Sequence, residues 1–472
     1  MTATPLNDPA DTRRYLAVSG AFAALVTIAG MFLRREVTNS ETVVETIANM
    51  VLSIMPMEVF SFFLQLLGGW GKPLLLISVI LGLITIGSWV GYIERSPAEQ
   101  LSVLRRVWRM IGLAVGVWIP LLLFTLLASI PADGVSLTMD EITASALSLA
   151  IDAATFSLAY ATMYQLISFS AAETESVDEP PVSPGRRRVV SYLATGIIGV
   201  AASGYLGRLL LDTRAGAPDD DSGELSQPVT PNADFYTVSK NFIDPSPSAD
   251  GWTLDVQGMV EREISITYDE LREMPPVEQH ATLTCISNEI GGNLIDNAVW
   301  TGVRLRDVLE MAGIAGEPRR VAFFGSDGYS DSFEIEKAEE PGTIIAYLMN
   351  GERLPDSHGY PARLIVPGKY GIKNGKWLER LDLVDEFRGY WQRRGWTNDG
   401  TIKTLSMFES PASRAVLSSD DALLGGIAFA GDRGIERVEF SIDGGATWNQ
   451  ADDLEQPGEY SWKLWRARWR PP

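Results

Sequence analysis

Five apolar runs dominate the first 212 positions of a 472-residue chain, at 15–33, 73–93, 110–130, 142–170 and 189–211. Each approaches or exceeds the roughly 20 residues that cross a bilayer core as a helix. A helical membrane bundle is the expected fold of this half. A secretory signal would account for the first run only, and no typical cleavage pattern follows it. The stretch at 50–67, MVLSIMPMEVFSFFLQLL, carries Pro56, Glu58 and Gln65. It reads as an amphipathic or re-entrant piece rather than a sixth span. Arg13 and Arg14, the cluster Arg95, Arg105, Arg106 and Arg109, and the triplet Arg186 to Arg188 all flank spans, whereas 131–141 holds acids and no Lys or Arg. With arginines on the cytoplasmic side, five spans place the N-terminus inside and everything after Leu211 outside. Arg34 and Arg35 fall on the opposite side of this topology. Asp152 lies within the fourth run, where an acid marks either a functional site for protons or quinone or a paired polar group. His280 and His358 are the only histidines, so a bis-histidine haem cannot sit in the bundle.

Between the fourth and fifth runs lies AAETESVDEPPVSPGRRRVV. Its paired arginines before an apolar run match a twin-arginine export signal as well as simple positive-inside anchoring. The former carries folded domains, such as those holding a cofactor. Residues 213–232 are acidic and turn-rich, a flexible linker. The net charge is −21 with eight lysines among 39 basic residues, while 46% of the chain is hydrophobic. Such acid excess keeps a protein hydrated in brine and suggests a halophilic source. It also argues against nucleic acid as a partner.

From residue 233 the pattern changes to short alternating runs and turns. Residues 252–260 and 263–266 read as strands, 267–274 as a capped short helix and 303–313 as a helix with a glycine stop. RVAFFGSDGYSDSFEI reads as two strands joined by a turn, and ARLIVP as a buried strand. No GxGxxG follows a strand, so the domain is α+β without a Rossmann sheet. From about 404 the chain becomes strands and turns only, as in an immunoglobulin-like β-sandwich. About 70 residues remain where such a sandwich takes about 100, which implies a truncated or shortened one.

Cys285, in TLTCISNEIGGN, is the only cysteine. A lone cysteine is often a small buried hydrophobe. It cannot form an internal disulfide, and a single thiol cannot hold an iron–sulfur cluster or a structural zinc. If chemical, it is a nucleophile, a redox thiol or one ligand to a metal that a cofactor supplies. HGYPARLIVPGKYGIKNGKW brings His358, Arg363, Lys369, Lys373 and Lys376 together with glycines at 368, 371 and 375. Cations beside glycine-rich backbone suit a buried phosphate. Surface salt bridging is the plainer alternative.

Together these segments resemble the sulfite oxidase family of molybdopterin enzymes over most of 234–472. TLTC-x-S-N resembles the family's molybdenum-cysteine motif, which would make Cys285 the metal's thiolate ligand. The HGYP-x-R…VPG…KW segment resembles its pterin-phosphate segment, placing His358, Arg363, Asn374, Gly375 and Lys376 at cofactor-binding positions. FYTV is similar to the family's lead-in segment, adding Tyr236 and Thr237. RVEFSIDGGATW is similar to the C-terminal sandwich, often a dimerisation domain, so a homodimer is admitted. The resemblance implies a molybdenum–molybdopterin cofactor and two-electron oxygen-atom transfer, with the solitary thiolate completing a dithiolene-bound metal. Neither haem, flavin nor iron–sulfur sites are expected, so electrons pass through an external carrier, either quinone or a small copper protein.

The resemblance also has departures. Sulfite oxidases carry arginines just after the cysteine motif, where this chain has Glu289 and Ile290; an acid there repels a dianion. The family's pocket tyrosine is replaced by Trp396 in GYWQRRGW, while Arg393 and Arg394 remain nearby, so Trp396 and Arg393 join Cys285 as candidate catalytic residues. The expected protein has a transmembrane region at 1–212, the linker at 213–232, a molybdopterin domain at 233–403 and the sandwich at 404–472. Its active domain faces outside the cell membrane, and its substrate is a small neutral or zwitterionic S- or N-containing molecule. Sulfite itself is one alternative. A non-catalytic membrane binding or sensor protein on the same scaffold is another.

Overall fold

A computed structural model describes residues 9–38, 42–55, 71–93, 139–172, 225–241, 243–412, 422–451 and 453–470, with isolated positions between 59 and 123 and residue 415. The chain divides into two compact units, Met1–Arg214 and Ala215–Pro472. Apart from isolated positions, the runs at 110–130 and 189–211 lie outside the described residues. So do the arginine triplet and most of the 50–67 stretch.

The first unit contains α1 (Pro9–Thr38), α2 (Val43–Ile54), α3 (Gly71–Ile93) and α4 (Met139–Ala172). Three segments, Leu16–Arg35, Gly71–Ile93 and Ala146–Met163, are long and apolar enough to cross a membrane. Helices α1 and α3 touch backbone to backbone. A Cβ on Gly20 would come within 2.1 Å of Gly87 O, and one on Gly91 within 2.1 Å of Leu16 O. Small residues allow this approach, and dispersion over the shared surface rewards it where lipid offers no hydrophobic gain. Asp152, 3% exposed, pairs with Arg34 through both carboxylate oxygens, Arg34 Nη2 lying 3.0 Å from Oδ2. Arg35 Nε donates to Glu45 Oε2 at 2.9 Å. Glu45 also accepts from the Thr42 backbone at 2.9 Å and completes the capping box that starts α2. The two arginines that fall on the wrong side of the expected topology are thus both neutralised within the bundle.

The second unit is built on two sheets. The first has the order β2 (Ile264–Thr267), β1 (Thr253–Gly258), β10 (Leu378–Val384), β5 (Arg320–Gly325) and β6 (Ser330–Glu334), with β1 parallel to β10. The second runs β3 (Val277–Thr284), β4 (Ile295–Arg304), β7 (Ile344–Met349) and β8 (Glu352–Arg353), and β9 (Arg363–Ile365) also pairs with β7. Short helices α5 (Tyr268–Glu273), α6 (Leu305–Ala312) and α7 (Ile335–Glu339) connect them. Thr267 and Glu270 cap α5 reciprocally, as its sequence predicts. The helix expected at 303–313 starts later, at Leu305. Val303 and Arg304 belong to β4 instead, because they pair with Ile345 and Ile344 of β7. Leu254, Val256, Val308, Phe323, Phe333, Leu364 and Leu381 form the shared core of both sheets, each fully buried.

The C-terminal segment adds a four-stranded sheet, β11 (Leu405–Ser410), β12 (Ala422–Phe429), β16 (Lys463–Trp469) and β15 (Asp453–Glu455), in that order. A separate pair is formed by β13 (Glu439–Phe440) and β14 (Asn449–Gln450). This segment clasps β3 directly: Trp462 N donates to Thr282 Oγ1 at 2.8 Å and Thr282 N to Tyr460 O at 3.0 Å.

Candidate active site

Strand β3 delivers Cys285 to the wall of a cavity. The ladder with β4 ends at Thr284–Ile295, and Cys285 N then donates to Leu294 O at 2.9 Å. The loop between is closed by Asn288, whose Oδ1 accepts from Leu294 N at 2.9 Å. Cys285 is 8% exposed, and its Sγ lies 3.0 Å from Ser287 Oγ. Glu289 and Ile290, which follow, are exposed.

The cavity has a volume of about 140 Å³, and Cys285, Tyr236, Thr237, His358, Arg363, Asn374, Gly375 and Lys376 all line it. These residues come from five places along the chain: the lead-in segment, the end of β3, the turn at Asp356–His358, β9 and the loop at 374–376. Strand β9 holds Arg363, a short turn at Asp356–His358 ends on His358, and the lead-in segment brings Phe235 and Tyr236. Tyr236 N donates to Asp296 Oδ2 at 2.7 Å, while Thr230 Oγ1 donates to Asp296 Oδ1 at 3.0 Å. Burial holds the Asp296 carboxyl up at about 7 despite these two donors.

Arg363 dominates the electrostatics. It is 4% exposed, and its guanidinium donates to two backbone carbonyls, His358 O at 3.0 Å and Asn374 O at 3.2 Å. Its carbon centre lies 4.9 Å from the centroid of the Trp300 ring. Nε has no hydrogen-bond partner, and among the described residues no carboxylate pairs with this charge. Burial lowers its pKa to about 10. Lys376 Nζ donates to Ser357 O at 2.8 Å and has Asp244 only at 3.8 Å; burial pulls it below the usual lysine value. His358 packs edge-on against Phe235 at 5.3 Å. Burial first, then Arg363 and Lys376, press its pKa down to about 3, so the ring is neutral. Burial drives the Tyr236 hydroxyl well above its ordinary range, aided by Cys285 and opposed by Arg363.

Asn374 lines the cavity but spends its side chain on the loop. Oδ1 accepts from Val366 N at 2.7 Å, and Nδ2 donates to Lys369 O and Tyr370 O at 3.1 Å. Gly375 is needed for space, since a Cβ would come within 2.5 Å of the Phe323 ring.

The lysine cluster seen in the sequence is only partly a cavity feature. Lys373 is buried in an ion pair with Asp331, and Lys369 pairs with Glu334 at 3.0 Å. Lys376 alone of the three lines the cavity. Nor do the two pocket candidates from GYWQRRGW line it. Arg393 is exposed and donates to Arg388 O at 2.9 Å. Trp396 stacks on Trp391 at 5.0 Å, and Trp391 takes the place on the wall. Lys240, Asp327 and Tyr329 are lining residues that the motifs do not mark, while Trp377 and Trp391 stand within quoted segments without having been singled out.

This constellation, a thiol beside an anion-receptive pocket, is accompanied by a match of residues 242–391 to the family model described as the oxidoreductase molybdopterin binding domain. The chain therefore carries an oxidoreductase domain of the molybdopterin-binding kind. Among characterised relatives, mitochondrial sulfite oxidase of Mus musculus is 31% identical over 294 residues, covering 52% of this chain and 53% of that protein. Sulfite oxidase of Arabidopsis thaliana is 28% identical over 288 residues, covering 50% and 73%. Nitrate reductase [NAD(P)H] of Hordeum vulgare is 31% identical over 301 residues, covering 50% and 34%. The chain spans about half the length of the mammalian sulfite oxidases it matches.

Proposed function

We propose that this protein is a membrane-anchored molybdenum–molybdopterin oxidoreductase that transfers an oxygen atom to or from a small substrate. The observation that carries the reading is Arg363: a buried guanidinium without a carboxylate, with an orphaned Nε, in the same cavity as the only thiol. A buried cation left so is costly unless an anion completes it, and a pterin's phosphate fits that need. Arg363 and Lys376 would hold the phosphate. Neutral His358 offers a ring nitrogen, Tyr236 and Thr237 line the same space, and Cys285 would supply a soft thiolate ligand. When bound, the metal cofactor supplies the two-electron oxygen-atom chemistry. The chain's part is to position the substrate, bury the phosphate charge and screen the site from water.

The rest of the reading follows the chain's organisation. Residues 1–212 anchor the protein in a membrane, 213–232 tether the outer part, 233–403 bind the cofactor, and 404–472 belong to an immunoglobulin-like sandwich. The three apolar helices support the anchor, and the arginine distribution supports an active domain outside the cell. Electrons pass through a separate carrier. Sulfite is the alternative substrate, favoured by the similarity to sulfite oxidases; Glu289 and Ile290 after the cysteine motif weigh against it.

The test is the molybdenum and pterin content of the full chain beside Cys285→Ala and Arg363→Ala. Near one molybdenum per chain, lost or spectroscopically altered in Cys285→Ala, supports the reading. Protein made in a cofactor-competent host that carries no molybdenum would overturn it and leave a non-catalytic scaffold.

A further inference from the structure

We propose that residues 226–236 form a strap that gates cofactor entry to the cavity, and that Asp296 is the positioning residue that latches it. The inference rests on the molybdopterin reading and adds how the chain admits that group. The cavity has a volume of about 140 Å³, whereas pockets for ligands of drug size take roughly 300–1,000 Å³. A fused pterin bearing a dithiolene and a phosphate belongs to that size class, so one wall must move to admit it. The walls are unequally held. Strand β3, which leads to Cys285, and β9, which holds Arg363, are bonded into the second sheet. The loop that carries Lys376 is locked by the three hydrogen bonds of Asn374. The six residues from Phe235 to Lys240 give the longest continuous stretch of wall, and they belong to no helix or strand.

The strap leading to them lies along an open edge of the second sheet. Strand β7 pairs with β4 only from Trp300 to Arg304, which leaves that edge of β4 without a strand from Ile295 to Val299. The strap covers it, as unpaired edge groups require. Thr230 N donates to Asn297 O at 2.8 Å, and Asn297 Nδ2 donates to Pro228 O at 2.6 Å. Asn350 Nδ2 donates to Thr230 O and Asn232 Oδ1 at 2.9 and 2.8 Å. At the far end Ser226 N donates to Glu409 Oε2 at 3.0 Å. There Leu225 sits over Gly425, where a Cβ would come within 2.6 Å of its side chain.

Asp296 closes the arrangement. Its two carboxylate oxygens take one donor from each end of the last turn, Thr230 Oγ1 at 3.0 Å and Tyr236 N at 2.7 Å. Between them Asp234 N and Phe235 N fold the chain by donating to Pro231 O at 3.0 and 3.1 Å. Phe235 is thereby seated against fixed parts of the cavity, 5.3 Å from the His358 ring and 5.9 Å from Trp300. Trp300 is the ring beside the Arg363 guanidinium. Releasing the strap breaks side-chain hydrogen bonds and the one backbone bond to Asn297, and every strand pair is kept. It therefore opens more readily than either sheet.

The experiment uses the detergent-solubilised full chain in two forms, loaded and cofactor-free, the latter from a host that makes no molybdopterin. Hydrogen exchange read by mass spectrometry and the rate of tryptic cleavage after Lys240 follow the strap. Lys240 is the sole tryptic site between Arg214 and Arg262. In the wild type, loading should slow both exchange over 226–240 and cleavage severalfold. In cofactor-free protein, Asp296→Ala should speed both about tenfold, through loss of the hydrogen bonds its carboxyl accepts. Asp296→Asn, which keeps one acceptor, should fall between, and Thr230→Val provides a milder break of the same latch. Loaded Asp296→Ala should also shed molybdenum several times faster on dialysis. Exchange over β5 and β6 should stay at the wild-type rate throughout. Equal strap protection with and without cofactor would overturn the inference, as would an unchanged strap in Asp296→Ala. Protection lost alike from the strap and from β5 and β6, in both Asp296→Ala and Thr230→Val, would also overturn it and make Asp296 a brace of the whole fold. Absence of molybdenum would overturn the cofactor reading itself, and exchange in Asp296→Ala would still decide whether Asp296 latches the strap.

Discussion

Lys373 Nζ lies 2.7 Å from Asp331 Oδ1, and neither side chain exposes any surface. The ammonium also donates to Ser332 O at 2.8 Å and Asn398 Oδ1 at 3.0 Å. The pair therefore ties the loop between β9 and β10 to β6. Breaking a buried pair leaves one charge uncompensated, which costs about 3–5 kcal/mol. Lys373→Met should lower the stability of the second unit by that order in urea titration of the full chain. Asp331→Leu combined with it should recover much of the loss. Equal destabilisation by the double variant would mean that the pair acts through packing alone.

Arg363 gives the opposite expectation. Its charge is buried beside carbonyls and the Trp300 ring, without an acid. Arg363→Met should leave the cofactor-free protein as stable as the wild type or more so, while molybdenum content falls severalfold. Thermal melting and metal analysis of the same preparations separate the two effects. A variant that loses stability but keeps its molybdenum would mean that the guanidinium braces the fold.

Two buried groups of the cavity region, Asp296 and His358, slope stability in opposite directions with pH. Asp296 is raised from 3.8 to about 7 by burial, so between these values the folded chain binds the extra proton. Its contribution is full below about 4 and lost as pH rises through 7. His358 is lowered from 6.5 to about 3. Its contribution is full above 6.5 and lost as pH falls through 3. Relative to Asp296→Asn, the wild type should lose stability from pH 4 to 7. Relative to His358→Gln it should gain stability from pH 3 to 6.5. Melting temperatures across this range check both signs, and parallel curves for wild type and variant would refute the assignment for that residue.

In the helical unit, Asp152 and Arg34 join α4 to α1. Asp152→Leu should weaken the unit by on the order of 1–2 kcal/mol, measured by detergent-mediated unfolding. Arg34→Leu in the same chain should reduce the penalty, giving a double-mutant coupling of similar size. Additive losses would show that the two residues do not act as a pair.

How much of this was legible in the sequence depends on range. Cys285, His358, Arg363 and Lys376 stand in contiguous motifs, and the structure gathers all four around one cavity. Trp391 stands in GYWQRRGW, where the sequence points to Trp396 and Arg393 instead, and Tyr329 stands in a hairpin without a chemical motif. They meet because Tyr390 N bonds to Ser330 O, sixty residues back along the chain. Counting lysines suggested a cluster of three, but a count cannot reveal that Asp331 and Glu334 on a distant strand capture Lys373 and Lys369. The α5 capping box was legible because its signal is local. The start of α6 was not, because pairing with β7 overrides helical spacing at Val303 and Arg304.

The solitude of Cys285 has a practical side. Because the chain has one thiol and that thiol stands on the cavity wall, a maleimide dye has one address on the whole molecule. Dye taken up by folded protein counts chains whose sulfur is free, and dye taken up after denaturation counts all of them. The ratio is an occupancy gauge that needs no engineered cysteine-free background and no knowledge of the substrate.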